Sequence, residues 1–350
     1  MKALFLAGGL GTRLRPLTND LPKPMAPVMG KPLLELTITN LIKHGIDEIV
    51  LSTCYKPHKI KEYFGDGEKF GVKINYLSED MPLGTAGAIK NAQGFFNETF
   101  LVFNADILSD IDLSALVAFH KEKGALATIW VTRVDNPSAY GVIERDPDGY
   151  ITAFKEKPQP HESSSNLINA GVYVFEPELL DYIPSGRAVS IERETYPLLL
   201  EKGAKLAVYS GSFYWLDLGT HAKYLQAHRD IMKGLFRIDG LDYNQNRQYI
   251  GKSAKIDRKA KLIEPVYIGE NVTIGSDAVV GPETVLGAGS EVGRGATIVG
   301  SIAWDHVVIQ DGATVRNSIL MSNYKVDRNS CWSNTILGEN IKQPLTLNVT

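Results

Sequence analysis

The sequence predicts an α/β domain built on a largely parallel sheet, followed by a parallel β-helix; a change of period along the chain carries that prediction. Up to about residue 233 short apolar strands alternate with helical patterns, the alternation that covers a sheet with helices on both faces. Beyond residue 252 the period becomes six: Ile256, Leu262, Ile268, Ile274, Val280, Leu286, Val292 and Ile298 follow at that spacing without a break. Six residues turn an α-helix by about 600°, so no helix keeps an apolar face at this period. A coil of three short flat faces does, and hexapeptide repeats mark a parallel β-helix.

Residues around Phe5 read as a short buried strand that ends where glycines begin. Segments 48–53, 73–77 and 99–104 read as further strands, and 32–44, 84–92 and 112–123 as the helices around them. Ligands of such sheets bind at the carboxyl ends of the strands, where the glycines and Asp106 fall. Segment 126–175 is richer in strands and turns and reads as an elaboration on the substrate side. Segment 234–252 has no clear period and reads as a connector, which divides the chain into 1–233, 234–252 and 253–350. In the repeat region Gly269, Gly275, Gly281, Gly287 and Gly293 each follow a member of the series. Small or β-branched residues, from Ala254 and Ala260 to Ser290 and Ala296, stand two positions before. Ala303, Ile309 and Val315 resume the period after a slip of one residue, with Trp304-Asp305-His306 in the slip.

At 350 residues two domains are the natural expectation. The composition, 44% apolar and 22% charged, is that of a globular protein, and a net charge of −3 gives no support to nucleic-acid or membrane-surface binding. The charge is uneven: residues 1–35 carry Lys2, Arg13, Arg15, Lys23 and Lys31 against Asp20 and Glu35, which suits a small anionic ligand. Cys54 and Cys331 fit no metal or redox spacing and read as reduced thiols. The opening apolar stretch is too short for a signal peptide and no run approaches a membrane span, so a cytoplasmic protein is expected.

The chemistry begins in Leu6-Ala7-Gly8-Gly9-Leu10-Gly11-Thr12-Arg13-Leu14-Arg15-Pro16-Leu17-Thr18 and Pro22-Lys23-Pro24-Met25. Glycines let backbone N–H groups approach and cradle an anion, and Arg13 and Lys23 add charge where a triphosphate would sit. A Walker A loop would need Lys-Ser/Thr after its last glycine, and the dinucleotide fingerprint a third glycine at its own spacing. Two glycines alone would read as a plain surface turn. Asp106 and Asp217 each follow an apolar strand, so one site could receive both carboxylates. A lone strand-end aspartate more often closes a turn or caps a helix, as Asp110 and Asp112 are read to do.

Together with Pro82-Leu83-Gly84-Thr85-Ala86-Gly87, Asn104-Ala105-Asp106, Glu156-Lys157-Pro158, Asn169-Ala170-Gly171, Ser190-Ile191-Glu192 and Trp215-Leu216-Asp217-Leu218-Gly219, these motifs resemble the sugar-nucleotide pyrophosphorylase family over almost the whole chain. The resemblance is strongest to its mannose-1-phosphate guanylyltransferase branch. It implies a Rossmann-like, mixed, mostly parallel nucleotidyltransferase domain and a left-handed parallel β-helix of hexapeptide repeats. The implied reaction is attack by a sugar-1-phosphate oxygen on the α-phosphorus of a nucleoside triphosphate, with release of pyrophosphate. The resemblance places Gly8, Gly9, Gly11, Thr12, Arg13, Lys23, Glu79, Gly84 and Thr85 on the nucleotide, and Asp106 and Asp217 on Mg²⁺. It places Lys157 on the sugar phosphate, Glu156 on a sugar hydroxyl, and Gly141, Asn169 and Gly171 in the sugar pocket, with Glu192 a further candidate. Arg13, Lys23 and Lys157 are the implied catalytic set. An open coil end favours packing on another subunit, so the β-helix is expected to offer an assembly or regulatory surface and the chain to form a homo-oligomer. A phosphate monoester is largely dianionic at pH 7, its second pKa being about 6, so no general base is needed and the lack of an obvious catalytic histidine is expected.

Glu79 precedes the Pro82-Leu83-Gly84 segment that lies along the base edge in this family. A carboxylate only accepts hydrogen bonds, and guanine offers two adjacent donors where thymine and uracil offer one flanked by acceptors. GTP is therefore the favoured nucleotide, and the resemblance implies mannose-1-phosphate as its partner; thymidylyl, uridylyl or adenylyl transfer to glucose-1-phosphate is the alternative. Thr85 also matches the guanylyl branch. Two other classes stay open. Hexapeptide β-helices also serve acyltransferases that use a histidine base, and His306 is the one histidine after His228. A catalytically dead regulatory homologue is the other, although Arg13, Lys23, Asp106, Lys157 and Asp217 are all in place.

Overall fold

The computed structural model describes residues 1–346 except Asp80, Pro160, His161 and Ser164. Strand Lys2–Leu6 lies between Glu48–Thr53 and Phe100–Asn104, parallel to both, and Lys73–Ser78 extends the parallel run. These strands are covered on both faces, which is why they read as apolar runs rather than alternations. Ala3 and Phe5 point into one core cluster with Leu34, Ile38 and Leu41 of helix Leu33–Lys43, and with Leu113 and Leu116 of helix Leu113–Lys123. Leu4 points into the other, with Ala86 and Ile89 of helix Gly84–Asn91. Asp112 caps helix Leu113–Lys123 by accepting the Ala115 N–H at 2.9 Å, and Asp110 accepts the Tyr214 N–H at 2.6 Å. Asp112 thus takes the cap role expected of it, while Asp110, read as a turn residue, ties its segment to the distant Tyr214.

The segment rich in strands continues the same sheet. Leu167–Phe175 runs antiparallel to Phe100–Asn104, Ala127–Arg133 and Gly141–Arg145, and Ile151–Glu156 pairs with Gly141–Arg145. Trp215–Asp217 forms a separate two-stranded pairing with Ile107–Ser109, which sets Asp217 opposite Ile107 and beside Asp106.

Beyond it three parallel sheets wrap into a β-helix, an arrangement that fits the left-handed form. Ile268 pairs with Leu286 and Ile274 with Val292, one coil of eighteen residues apart. Leu286 pairs with Ala303 and Val292 with Ile309 at seventeen, and Ala303 with Leu320 and Leu320 with Leu337 keep that spacing, so from the slip onward each coil is a residue shorter and no sheet is broken. Ile268, Ile274, Val280, Leu286, Val292 and Ile298 are buried in the coil, as are Ala303, Ile309 and Val315 after the slip. Ile256 and Leu262 are only partly buried because no coil covers that end. The connector is shorter than its aperiodic sequence suggests: Gln248–Ile250 already forms a strand parallel to Val266–Ile268. Its partner strand and not its own sequence pattern holds it extended.

The β-helix packs on the α/β part through one shared apolar cluster. Val285, Ile302, Trp304, Ile319 and Ile336 meet Leu14, Leu17 and residues of helix His221–Met232. Trp304 Nε1–H donates to the Tyr224 hydroxyl at 2.9 Å, and that hydroxyl donates to the Pro27 carbonyl. Arg229 Nε meets Glu283 Oε2 at 2.9 Å at the rim. His306 is exposed, in a left-handed corner with φ 58°.

His228, packed edge-on against Tyr224 with its Nδ1 at 2.9 Å from the Tyr224 carbonyl, makes this joint sensitive to pH. Burial pushes its imidazole pKa down to about 4, against the pull of the Tyr224 and Pro27 carbonyls. Between about pH 6.5 and 4 the unfolded chain binds a proton that the folded chain refuses, so stability falls as pH falls through that window and is flat above it. At pH 5 this penalty is about 2 kcal/mol. His228→Asn, which keeps a donor near Nδ1, should flatten the loss of melting temperature between pH 7.5 and 5; an unaltered slope assigns the loss elsewhere.

Candidate active site

The carboxyl ends of the parallel strands are tied together by backbone hydrogen bonds: Ala7 N–H to Ser52 O at 2.8 Å, Ala105 N–H to Leu6 O at 3.3 Å and Glu79 N–H to Thr53 O at 2.8 Å. Above them opens a cavity of about 310 Å³ lined by Gly8, Gly9, Lys23, Glu79, Gly84, Thr85, Asn104 and Asp106, among others. Seven residues expected at the nucleotide or metal therefore share one cavity.

The glycines of the loop serve different ends. Gly11 has φ 60° and starts the short helical turn Thr12–Leu14, while a Cβ at Gly9 would meet nothing within 4 Å. A Cβ at Gly8 would lie 3.3 Å from Glu79 Oε1. Thr12 and Arg13 are exposed, and Thr12 does not line the cavity. Lys23, in the turn Lys23–Met25, is buried, and its ammonium pairs with Asp106 Oδ2. Burial alone would raise the Asp106 pKa, but Lys23 and then Arg13 hold it below the usual carboxylate range. The carboxylate is thus charged at neutral pH.

Asp217 stands on the other side of the loop. The Leu218 N–H donates to the Asp106 carbonyl at 3.0 Å, so the two aspartates sit on bonded neighbouring segments. A Cβ at Gly219 would lie 2.8 Å from Asp217 Oδ2 and 3.3 Å from Arg13 Nη2. That missing side chain leaves room for an ion or a phosphate beside Oδ2. Two carboxylates with hard oxygen donors, room at one of them and space for phosphate oxygens are what Mg²⁺ takes, so the residues fit a divalent metal. Among the described residues no group of three or more His, Cys, Asp or Glu could hold a metal by itself.

Glu79 is buried, and both its oxygens are engaged: Ser52 Oγ donates to Oε1 at 2.7 Å and the Leu83 N–H to Oε2 at 3.0 Å. It holds its own loop as well as facing the cavity. Thr85 also lines the cavity, but its hydroxyl donates to Glu192 Oε2 at 2.8 Å and accepts the Ile191 N–H at 2.8 Å. It and Glu192 therefore bind two segments together. Gly84 has φ 72°, and a Cβ there would lie 2.6 Å from the Val189 carbonyl oxygen. That carbonyl accepts the Ala86 and Gly87 N–H groups at the start of the helix.

The residues expected at the sugar gather along one side. A Cβ at Gly141 would lie 2.6 Å from the Phe154 ring and 3.0 Å from Glu156 Oε2; Gly171, φ 79°, passes as closely to Asn104. Asn169 donates to the Tyr173 hydroxyl at 2.8 Å and accepts the Gly171 N–H at 3.0 Å. Burial, then the Glu192 carboxylate, raise the Glu156 pKa. Lys157 has φ 52°, is largely exposed, and meets Glu156 at 3.5 Å. A non-glycine residue in that conformation carries strain held by its surroundings; here the Lys157 N–H bonds to Tyr140 O at 2.9 Å.

Two side chains in the centre escaped the motif reading. Lys223, in helix His221–Met232, pairs with Asp217 Oδ1, and the Tyr140 hydroxyl donates to the same oxygen at 3.0 Å. Burial and then Asp217 push the Tyr140 pKa up, so it stays a donor. Tyr140 adjoins Gly141 in sequence, but only the fold brings Lys223 back to Asp217.

Residues 2–234 match the family model described as Nucleotidyl transferase, and residues 262–349 the one described as GMPPB C-terminal domain. The chain belongs to the nucleotidyl transferase family. It is 40% identical over 256 residues to a mannose-1-phosphate guanylyltransferase of Mycobacterium tuberculosis, covering 73% of this chain and 71% of that protein. It is 41% identical over 246 residues to a UTP–glucose-1-phosphate uridylyltransferase of Synechocystis, covering 66% and 63%. Among solved structures, HddC from Yersinia pseudotuberculosis complexed with GMP-PN superposes with a TM-score of 0.56 at 29% identity, over 65% of this chain and 97% of that one. No helix among the described residues is long and apolar enough to cross a membrane.

Gly84→Ala should press on the Val189 carbonyl and force φ out of its favoured region. The expected result is a loss of about 1–3 kcal/mol in stability, of the order found for strained positions, with weaker nucleotide binding by calorimetry. A variant as stable and as tightly binding as the parent would remove Gly84 from this account.

Proposed function

We propose that this protein transfers GMP from GTP to mannose-1-phosphate, releasing pyrophosphate and forming GDP-mannose. The observation that carries the reading is that Lys23, Asp106 and the buried carboxylate Glu79 line one cavity, with Arg13 and Asp217 together beside Gly219 on the segment bonded to Asp106. The guanylyltransferase relative and the fold shared with a protein complexed with GMP-PN support it.

The nucleophile arrives already ionised, so the barrier is one of repulsion and alignment rather than of proton removal. Arg13 and Lys23 lie where the triphosphate meets the loop and stabilise charge developing on the leaving pyrophosphate. Lys157, exposed on the sugar side, orients the attacking phosphate. Gly141 and Gly171 let the hexose lie against backbone, with Glu156 and Asn169 beside it. The family generally works with a divalent metal; in this reading it is Mg²⁺, held by Asp106 and Asp217, and when bound it supplies a Lewis acid for the phosphate oxygens. Division of the chain into a catalytic part, 1–233, and a β-helix part, and assembly of copies through the β-helix, belong to the same proposal; light scattering reads the assembly.

A second reading, uridylyl transfer to glucose-1-phosphate, is favoured by the Synechocystis relative. A grid of nucleoside triphosphates against hexose-1-phosphates, scored by pyrophosphate release with and without Mg²⁺, decides between them. Best turnover with UTP and glucose-1-phosphate overturns the first reading, and no turnover in any cell overturns both.

Asp106→Asn and Lys23→Ala should each lower pyrophosphate release by about a hundredfold or more, the scale of removing one preorganised charge, with an unchanged circular dichroism spectrum. Near-normal turnover in either breaks the mechanism. Glu79→Gln should narrow the preference for GTP over UTP and dTTP in kcat/KM by the equivalent of roughly 1–3 kcal/mol. Unchanged ratios would take base selection away from Glu79.

A further inference from the structure

Lys223 has no part in the motifs of the site, yet it holds the centre of it. Its ammonium meets Asp217 Oδ1 and the Tyr140 hydroxyl, and lies 4.9 Å from the Tyr140 ring centroid and 6.0 Å from that of Trp215. Both ends of the pair are nearly enclosed, with side-chain exposures of 14% for Lys223 and 10% for Asp217. A carboxylate so enclosed is costly unless a cation compensates it, and removing one member of such a pair leaves an unpaired charge. Asp217 is therefore neutralised from within the chain, as Asp106 is by Lys23.

This bears directly on metal binding. Oδ1 of Asp217 already takes the lysine and the phenol, while Oδ2 faces the room left by Gly219, near Arg13. A divalent ion at this carboxylate would stand within a few ångströms of a buried ammonium, and at that range like charges repel strongly even at an effective dielectric constant of about 20. The lysine stem is flexible, so the ammonium can yield, but yielding forfeits its bond to Oδ1.

We infer that Lys223 is a built-in counter-cation of Asp217 which a divalent metal has to displace, and that it thereby holds down the metal affinity of the empty site. The inference rests on the proposed reaction only for the use of a metal at Asp217. Its consequence is that metal enters with the triphosphate, whose oxygens and charge offset the loss of the lysine contact. Lys223 is on this account a positioning residue: it governs when Asp217 is available.

The test needs no turnover. Binding of Mn²⁺ to the full chain without nucleotide is followed by electron paramagnetic resonance of the free ion, in the wild type, Lys223→Met, Lys223→Arg and the double variant Lys223→Met/Asp217→Asn. Lys223→Met should bind Mn²⁺ about tenfold more tightly than the wild type, a modest share of the repulsion it removes. Lys223→Arg, which keeps the charge, should stay close to the wild type, and the double variant should lose the gain. Equal or weaker binding by a folded Lys223→Met chain, including no measurable binding by either protein up to the millimolar range, overturns the inference. So does a gain that survives Asp217→Asn. If Lys223→Met does not fold, Lys223→Gln replaces it under the same criteria. Failure here leaves the substrate grid unaffected, and a failed grid leaves the Mn²⁺ comparison standing.

Discussion

Charge compensation at the carboxyl edge of the parallel strands is the constraint on which the rest of this structure depends. A site for two anionic reactants has to be cationic, yet two aspartates stand in it. The chain resolves the conflict by giving each acid its own lysine, Lys23 for Asp106 and Lys223 for Asp217, with Arg13 next to Gly219 between them. The depressed pKa of Asp106 is the electrostatic imprint of that arrangement. Both acids are held in place without making the mouth of the cavity anionic.

The lysines have to be held from behind, and there the β-helix enters. Tyr224 follows Lys223 directly, and its hydroxyl donates to the carbonyl of Pro27, close beyond Lys23 in sequence. The same hydroxyl accepts the indole N–H of Trp304, so one phenol joins the segment of each lysine to the repeat region. His221 adds a second tie, its Nε2 lying 2.9 Å from the carbonyl of Arg15 in the phosphate loop. The hexapeptide coil is thus part of the frame of the site, and Trp304, just past the shortened interval, bonds to the phenol at its centre.

The sequence made the two architectures legible because each rests on a local period. Strands and helices of the first part fall within a residue or two of where apolar runs place them, and the six-residue series is buried from Ile268 onward. What was not legible depended on tertiary pairing. Gln248–Ile250 is extended because Val266–Ile268 lies beside it, and Lys223 reaches Asp217 because helix His221–Met232, capped by Thr220, starts close behind strand Trp215–Asp217. Of the candidate residues, Gly8, Lys23, Glu79 and Asp106 share a cavity, but Thr85 and Glu192 spend their polar atoms on each other. A motif records that these residues belong together; it does not distinguish a group that meets ligand from one that holds its neighbour.

Glu79 poses that distinction most sharply, and its chemistry allows both roles. Each carboxylate oxygen has two acceptor sites, and Ser52 and the Leu83 N–H use one apiece. The remaining lone pairs can still receive two parallel donors, the pattern of the guanine edge. Replacement by glutamine preserves the anchoring, since the amide oxygen can keep the Leu83 N–H and the Ser52 hydroxyl can turn to accept from the amide nitrogen. What glutamine cannot do is accept at both positions, because its nitrogen only donates. A base with paired donors therefore loses one bond and gains a clash of donors, while a base offering an acceptor beside a donor gains a fitting partner. Loop anchoring and base selection are separable at this residue, because the first survives the exchange of an oxygen for an amide and the second does not.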